Sequence, residues 1–429
     1  MEIKRDVYLN RLIHKKDNGM IKVITGIRRC GKSYLLFNLY DKYLRSIGVK
    51  DDEIIKLALD DYENRKYLDP DELYSYLKEK TSDVKRHYYI FLDEVQYLIS
   101  KEELKNKDTY VRLYAILNSL LHKQNVDVYV TGSNSKMLST DVLTEFRGRG
   151  DELHIAPLSF SEYYPAQRES KENAWKQYLL YGGLPHVLSL ESDEEKTQYL
   201  SRLHSEIYLK DISERYGISD DSGIIELQKV IASSVGSLTN PLKISNTFSS
   251  SGEKNISVKN IKDYLGYLQD SFLIQRAERY DIKGRKYIST PSKYYYSDLG
   301  LRNALLGFRQ VEESHLMENA IYNELIYRGF SVDVGVVEVY QMVNKVRTHQ
   351  RLEIDFVANK ADKRYYIQSA LALPDPEKKE QEERPLLHTQ DGFKKIIITK
   401  DAIAPLYNED GLLVMSIYDF LLNEKSLEI

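Results

Sequence analysis

The sequence has one cysteine, no long apolar run and no excess of positive charge. A single cysteine excludes an internal disulfide framework and a zinc site built from cysteines. No apolar stretch approaches the roughly 18 residues that a membrane span needs, and residues 1–6 lack the pattern of a signal peptide. The net charge of −4 provides no overall basic field, so any binding to nucleic acid must come from a local patch. We therefore expect a cytoplasmic protein with no membrane partner.

A glycine-rich segment, GIRRCGKS at residues 26–33, fits the pattern G-x-x-x-x-G-K-[ST] of a loop that wraps nucleoside triphosphate phosphates. Glycines allow a tight turn in which successive backbone N–H groups face anionic oxygens. Lys32 would reach the β- and γ-phosphates, and the Ser33 hydroxyl would bind Mg²⁺. The alternative is a glycine-rich turn that binds no ligand. We expect nucleotide contacts from Gly26, Ile27, Arg28, Arg29, Cys30, Gly31, Lys32, Ser33 and Tyr34.

The flanking residues favour the nucleotide-binding interpretation. A short strand is predicted at residues 21–25, and an apolar helical pattern begins at Ser33. In this order the N-terminus of the helix faces the phosphate. Cys30 is interpreted as a small residue that fills space in the loop, with a catalytic or redox role as the alternative.

A second candidate element is the buried strand at residues 88–92, which is followed by Asp93 and Glu94. A parallel strand of this kind delivers both carboxylates to the C-terminal edge of its sheet. Asp93 would hold Mg²⁺ through water, and Glu94 would orient and deprotonate the attacking water. A strand that ends in Asp-Glu is informative here because it follows the glycine-rich loop by about 60 residues.

Other candidates each have a structural alternative. Asn134 follows a strand predicted at residues 126–132 and could sense the γ-phosphate, or it could cap a helix. An arginine within residues 145–149, just ahead of a strand predicted at residues 153–156, could neutralise transition-state charge in its own site or in a neighbour's, or it could be a solvated or paired arginine. Tyr8 or Leu9, on a predicted N-terminal helix, could stack on adenine or only pack that helix against the core.

The first 165 residues resemble AAA-type ATPases of bacteria and archaea that carry a C-terminal domain related to restriction endonucleases. The resemblance implies the roles given above for Lys32, Ser33, Asp93, Glu94, Asn134 and Arg149, and it favours Arg149 over Arg147 as the arginine finger. The matching segments are Arg5-Asp6 with Tyr8-Leu9, residues 26–33, residues 91–96, residues 131–135, Gly148-Arg149 and residues 157–162.

The middle of the chain is predicted to hold two modules. Residues 157–235 read as helices, and the resemblance makes them a lid whose Gly-Gly-Leu-Pro turn, residues 182–185, lies near the nucleotide. Residues 236–310 resemble a winged helix, with a helix at residues 257–268 and two strands joined by a turn that contains residues 283–286. Residues 240–310 hold 12 Lys/Arg against 6 Asp/Glu, which would suit a phosphate backbone, although winged helices also dock proteins.

Residues 311–429 are interpreted as a degenerate nuclease-like domain. A helix glutamate, a strand aspartate and a Glu/Gln-x-Lys in the next strand bind metal in the restriction-endonuclease fold, which this region resembles. Glu324, Asp355 and Gln368 match the first three positions, but Ala370 replaces the lysine. We therefore interpret the set as a relic that holds the fold, and nuclease activity is the weaker alternative.

The complete prediction is an α/β protein with four domains. They are a P-loop parallel-sheet ATPase core at 1–156, a helical lid at 157–235, a winged-helix-like module at 236–310 and the nuclease-like domain at 311–429. The predicted cofactors are ATP and Mg²⁺. ATP hydrolysis would move the C-terminal modules, either on duplex DNA or as a nucleotide-gated switch for a protein partner, and an oligomer is compatible with both.

Overall fold

Two units of the chain are seen in the computed structural model, which describes residues 3–100, 103, 111–133, 149–251, 256–343, 346–401 and 404–429. The first unit comprises Met1–Ala156 together with Asp270–Phe272. The second comprises Pro157–Gln269 together with Leu273–Ile429.

A five-stranded sheet forms the centre of the first unit. Its strands in chain order are β1 (Ile21–Thr25), β2 (Ile54–Ala58), β3 (Tyr88–Asp93), β4 (Val126–Thr131) and β5 (Gly150–His154). The spatial order is β2-β3-β4-β1-β5, and all neighbouring strands are parallel. Every residue of β1 and β3 is buried, as expected for a parallel sheet covered on both faces. The predicted parallel α/β core is therefore confirmed, although β5 begins three residues earlier than the prediction.

The helices of this unit include α1 (Asp6–Lys15), α3 (Pro70–Lys80) and α4 (Arg112–Leu121). Three consecutive helical segments, Lys32–Tyr34, Leu35–Tyr40 and Asp41–Ser46, directly follow the glycine-rich loop and are together called α2. The middle segment has π-helical hydrogen bonding. The side chain of Asp69 accepts hydrogen bonds from the first backbone N–H groups of α3, and Pro70 occupies its first turn.

The carboxyl ends of parallel strands share one edge of a sheet. The glycine-rich loop leaves the end of β1, and Asp93 is the last residue of β3, with only β4 between the two strands. The topology therefore brings the predicted phosphate loop and the predicted carboxylate pair to the same edge.

The second unit starts with helices. They are α5 (Phe160–Tyr163), α6 (Lys171–Tyr181), α7 (Asp193–Arg202), α8 (Lys210–Tyr216), α9 (Ser222–Ser233), α10 (Pro241–Ser251), α11 (Val258–Asp270), α12 (Leu299–Leu305) and α13 (Glu313–Tyr327). Two further helices follow later in the chain, α14 (Pro376–Leu387) and α15 (Ile417–Leu422).

An eight-stranded mixed sheet completes this unit. Its strands are β6 (Ile274–Asp281), β7 (Lys286–Tyr296), β8 (Ser331–Val343), β9 (Val346–Lys360), β10 (Lys363–Ala370), β11 (Lys394–Thr399), β12 (Leu406–Tyr407) and β13 (Leu413–Ser416). The spatial order is β12-β13-β11-β10-β9-β8-β6-β7.

The hairpin predicted as the wing, β6–β7, forms as an antiparallel pair after helix α11. It also joins the larger sheet, because residues Arg279–Asp281 of β6 pair in parallel with residues Val334–Val336 of β8. The regions predicted as winged-helix-like and nuclease-like thus share one sheet. The four-domain division stays a prediction, and its boundary at residue 310 does not separate two units of the structure.

The Gly-Gly-Leu-Pro turn after α6 is fixed by a buried carboxylate within the second unit. Asp298 accepts a hydrogen bond from the backbone N–H of Gly183 at 2.8 Å and another from Leu301 at 2.9 Å, at the start of α12. Gly182 has φ +74°, and a Cβ there would lie 2.4 Å from Asp298. Burial raises the pKa of Asp298 to about 6, although hydrogen bonds from the backbone act in the opposite direction. Proximity of this turn to a nucleotide stays a prediction.

Candidate functional site

The glycine-rich loop has the backbone geometry of a concave anion site. Three of its residues have positive φ: Gly26 at 141°, Arg29 at 64° and Gly31 at 101°. Left-handed residues interspersed in a short loop turn consecutive N–H groups toward a common centre. Gly31 is immediately followed by α2, so the first N–H groups of that helix face the same side.

Lys32 folds back across the loop that it follows. Its side chain is almost fully buried, and its Nζ donates hydrogen bonds to the carbonyl oxygens of Gly26 at 3.0 Å and Ile27 at 3.1 Å. The ammonium group is therefore positioned over the start of the loop, where it can meet phosphate oxygens. Cys30 is buried, and its Sγ contacts the carbonyl oxygen of Ile155 at 3.4 Å, which supports its interpretation as a space-filling residue.

Asp93 connects the loop to the carboxylate strand. Its carboxylate accepts hydrogen bonds from the hydroxyl groups of Thr131, at the end of β4, and Ser33, at the start of α2. Burial raises the pKa of Asp93, and the charge of Glu94 acts in the same direction, whereas the bonds from Thr131 and Ser33 lower it. A buried carboxylate with an elevated pKa is one that a divalent cation would stabilise in its charged form.

The oxygen donors at this edge fit Mg²⁺. Mg²⁺ prefers a hydroxyl and one or two carboxylates together with phosphate oxygens and water, rather than a set of ligands drawn wholly from the protein. Ser33 and Asp93 provide the first two donor types. Among the residues that the structure describes, no group of three or more His, Cys, Asp or Glu side chains could hold a metal ion. The magnesium site would therefore be completed by the nucleotide.

Glu94 has an unusual backbone conformation, with φ 54° and ψ 50°. Its N–H donates to the hydroxyl oxygen of Thr131 at 3.0 Å, so one threonine contacts both members of the acidic pair. The carboxylate of Glu94 accepts a hydrogen bond from the side-chain amide of Gln96. A non-glycine residue in the left-handed region costs about 1–3 kcal/mol and persists only where its surroundings hold it, as they do at some functional sites. Thr131 and Gln96 belong to the segments that carry the family resemblance, but the sequence assigned neither of them a role.

Arg149 lies at the opposite edge of the sheet from the loop. It precedes Gly150, which pairs with Ile21 at the beginning of β1, and its carbonyl oxygen accepts a hydrogen bond from Ile21. At about 3.3 Å per residue, the level of Thr25 is roughly 16 Å away along the strand. The exposed side chain of Arg149 does not span that distance, so a role in its own site is disfavoured. Asn134 and Arg147 lie outside the described residues.

Tyr8 and Leu9, the residues predicted to contact adenine, differ from each other in their surroundings. The ring of Tyr8 is 1% exposed, Arg5 lies 4.7 Å from its centroid, and its hydroxyl accepts a hydrogen bond from the N–H of Ala156 at 3.0 Å. These contacts favour the alternative in which Tyr8 packs α1 against the core. Leu9 is half-buried. Arg5 also donates to the carbonyl oxygens of Cys30 and Ala156, which anchors the glycine-rich loop from its far side.

A half-buried histidine near the loop was not foreseen. His154, the last residue of β5, contacts Thr25 through Nδ1 at 3.2 Å, and its ring centroid lies 4.6 Å from that of Phe272. Burial lowers the pKa of His154 to about 4, and the charge of Lys32 contributes to this shift. The imidazole is therefore neutral at physiological pH. The sequence offers no periodic signal for this contact, because Phe272 is more than a hundred residues downstream.

The residues predicted as a nuclease relic do not form one cluster. Glu324 is buried and accepts a hydrogen bond from Arg328 at 2.7 Å, and Arg328 also donates to Ser426. Burial raises the pKa of Glu324 to about 7, although the charge of Arg328 lowers it. The carboxylate of Glu324 is thus engaged by Arg328, and its membership of a nuclease-like set stays a prediction. Asp355 and Gln368 are adjacent, with the N–H of Asp355 3.3 Å from the Gln368 amide oxygen.

A different set of acidic residues surrounds Asp355. It contains Glu318 from α13 and Glu353 from β9, and all three carboxylates contact the ammonium group of Lys293, on β7. We call these four residues the Lys293 cluster. The helix glutamate next to Asp355 is Glu318, six residues before the position that the sequence favoured.

Comparison with known proteins agrees with this architecture. Residues 18–164 match a family described as an AAA domain, and residues 172–312 match a domain of unknown function. An uncharacterized protein of Haemophilus influenzae is 34% identical over 430 residues, which cover 98% of each chain. The chain belongs to this family of AAA-domain proteins. A second relative, the uncharacterized protein MJ1544 of Methanocaldococcus jannaschii, is 28% identical over 76% of this chain and 70% of its own.

One solved structure is similar in fold to this chain. A Walker-type ATPase of Pyrococcus abyssi has a TM-score of 0.50 at 16% identity, over 71% of this chain and 96% of that protein. This similarity shows a shared fold. None of the helices described here has the length and apolar composition required to cross a membrane.

Proposed function

We propose that this AAA-domain protein binds and hydrolyses ATP in the presence of Mg²⁺ and uses the cycle to move its C-terminal modules. One observation carries the proposal: hydrogen bonds run from Ser33 in the phosphate loop through Asp93 and Thr131 to Glu94. This connection supports a site in which a loop for phosphates, two oxygen donors and a candidate base act together at one edge of the sheet.

Each residue has a defined task in this proposal. The backbone of residues 26–33 and the ammonium of Lys32 bind and orient the β- and γ-phosphates. Ser33 and Asp93 would hold Mg²⁺, which neutralises charge on the phosphates when it is bound. Glu94 accepts a proton from the attacking water, and Asn134 would help to position that water. Arg149 could stabilise the developing charge only in the site of a second copy, so the proposal includes an oligomer.

The test is steady-state ATP hydrolysis by the full chain with Mg²⁺, comparing the wild type with Glu94→Gln. The amide keeps the shape of the side chain but cannot act as a base, so kcat should fall at least about 100-fold. Affinity for ATP should stay within about threefold. Glu79→Gln, an exposed residue on α3, is the matched control and should leave kcat unchanged. Equal kcat values for wild type and Glu94→Gln would contradict the assignment of the base.

Duplex DNA is the proposed partner, and the hairpin turn of β6–β7 is the segment that we expect to bind it. Lys283, Arg285 and Lys286 are exposed there beside Tyr287, which is 59% exposed. Part of the basic excess in residues 240–310 is not available at the surface, because Arg279, Lys293 and Arg302 are buried. The exposed turn therefore remains the best candidate for contact with phosphates.

Reversing the charge at Lys283, Arg285 and Lys286 together is expected to weaken retention on duplex DNA at least tenfold. Loss of three phosphate contacts should also reduce the slope of log affinity against log salt by about three. The control reverses three exposed lysines of the first unit, Lys78, Lys80 and Lys85, and should change neither quantity. A wild-type protein that is not retained even at low salt would favour the alternative, a nucleotide-gated switch that docks a protein.

A further inference from the structure

The Lys293 cluster resembles a cation-binding site in which the cation is the ammonium group of Lys293 itself. The Nζ of Lys293 lies 2.9 Å from Glu318, 2.9 Å from Glu353 and 3.2 Å from Asp355. These carboxylates come from α13 and β9, whereas the lysine comes from β7. Three carboxylates from two elements therefore surround one cation, the ammonium group, and with it in place no group of the described residues, this one included, is arranged to hold a metal ion.

The ammonium group is fixed in this position by burial and charge. The side chain of Lys293 is 3% exposed, and its ion pairs with Glu318 and Asp355 are largely shielded from water and salt, whereas the side chain of Glu353 is 35% exposed. Burial alone would favour the neutral amine, but Tyr295 and the surrounding carboxylates outweigh it and hold the pKa of Lys293 well above its ordinary value. Lys293 therefore carries its charge throughout the physiological range.

Two further hydrogen bonds reach the carboxylates of the cluster. Glu318 accepts a second hydrogen bond from the hydroxyl of Tyr295 at 2.7 Å, and Asp355 accepts one from the N–H of Ser369 at 2.9 Å. Gln368, which the sequence placed among the metal ligands, donates to Glu382 at 2.9 Å. A divalent ion would have to displace the ammonium group or lie directly beside it, where two positive charges in a poorly solvated site repel strongly.

We propose that Lys293 is a resident cation that takes the place of a divalent metal between Glu318, Glu353 and Asp355. The second unit then binds no metal at this cluster and contains no centre for metal-dependent phosphodiester cleavage there. The ion pairs of Lys293 also connect the β6–β7 hairpin to α13 and β9. They therefore hold the hairpin that contains the exposed basic turn in a fixed position. The proposal is independent of ATP hydrolysis, and either can fail without the other.

Binding of Mn²⁺ to the nucleotide-free full chain tests the proposal. The wild type and Asp355→Asn should bind the same number of ions, because Lys293 excludes metal from the cluster. Lys293→Met, which keeps the length and apolar character of the stem, should gain one Mn²⁺ per chain. Adding Asp355→Asn to Lys293→Met should remove that ion again. The site in the first unit is unchanged in all four proteins, so any binding there cancels in the comparison.

Thermal unfolding gives a second readout. Saturating Mn²⁺ should raise the Tm of Lys293→Met by about 5 °C or more. The change in Tm that Mn²⁺ causes should be the same for the wild type and for Asp355→Asn. A wild-type Mn²⁺ site that disappears in Asp355→Asn would overturn the proposal. So would a folded Lys293→Met protein that gains no ion. If Lys293→Met does not fold, the comparison of wild type with Asp355→Asn still decides whether the cluster takes metal.

Discussion

Replacing Gly26 with alanine is expected to abolish ATP binding while the sheet of the first unit stays folded. Gly26 has φ 141°, and a Cβ on it would lie 2.2 Å from the carbonyl oxygen of Ile155. That oxygen cannot easily retreat, because the N–H of Ile155 donates to Thr25 at 2.8 Å. The start of the loop must therefore move, and the contact between Lys32 and the Gly26 carbonyl is lost with it. We expect ATP affinity to fall at least about 100-fold, or about 2.7 kcal/mol.

Titration with a fluorescent ATP analogue measures this loss, and Gly48→Ala is the matched control. Gly48 also has a positive φ, +93°, but no heavy atom of the described residues lies within 4 Å of the position that a Cβ would take there. Alanine at this position introduces backbone strain of about 1–3 kcal/mol without a clash, and should not change ATP affinity. An affinity for ATP within threefold of wild type in Gly26→Ala would show that this close approach does not shape the nucleotide site.

Replacing Arg328 with methionine is expected to destabilise the second unit by about 3–5 kcal/mol, the usual cost of breaking a buried ion pair from one side. Glu324 would keep its burial but lose its cation, and Ser426 would lose the hydrogen bond from Arg328. The single tryptophan, Trp175, is buried in α6 of the same unit, so urea unfolding followed by its fluorescence reports this change. The double variant Glu324→Leu/Arg328→Met should recover more than half of the loss, because it leaves no unpaired charge.

The pH dependence of Arg328→Met gives a separate check. The pKa of Glu324 is already raised to about 7 in the folded protein, and loss of Arg328 would raise it further. Folding then favours the protonated carboxyl, so the free energy of unfolding is highest below the ordinary glutamate pKa and falls as pH rises through the folded value. The defect should therefore be larger at pH 8 than at pH 5. A defect that does not vary with pH would mean that Glu324 is not the group left unpaired.

The sequence was sufficient to predict the sheet, the glycine-rich loop and the acidic pair of the first unit because their signals are local. The order of strand, glycine-rich loop and helix lies within about 20 residues, and each element has a pattern that its neighbours support. Asp93 and Glu94 could be placed at the same sheet edge because parallel strands share an edge regardless of their spacing. The hydrogen bond between Ser33 and Asp93 agrees with both of these predictions.

Sequence patterns could not predict which side chains contact one another across the sheet. Glu318 and Glu324 both lie on α13, and the sequence does not say which one faces Asp355; the answer depends on how the helix is rotated against β9. Lys293 reaches the cluster from a hairpin that the sequence placed in another module. The family resemblance favoured Arg149 as the arginine finger, but the register of β5 against β1 decides which sheet edge it occupies.

The contact between His154 and Phe272 has a consequence for fragments of the chain. A fragment that stops at Ala156 keeps all five strands and the phosphate loop but lacks the aromatic ring that helps to cover His154. Access of water would return the pKa of this imidazole from about 4 toward 6.5, so that it takes up a proton in mildly acidic solution. A second positive charge would then stand near Lys32. The isolated fragment should therefore bind anions with a dependence on acidity that the full chain lacks, and nucleotide affinities measured on it would not describe the intact protein.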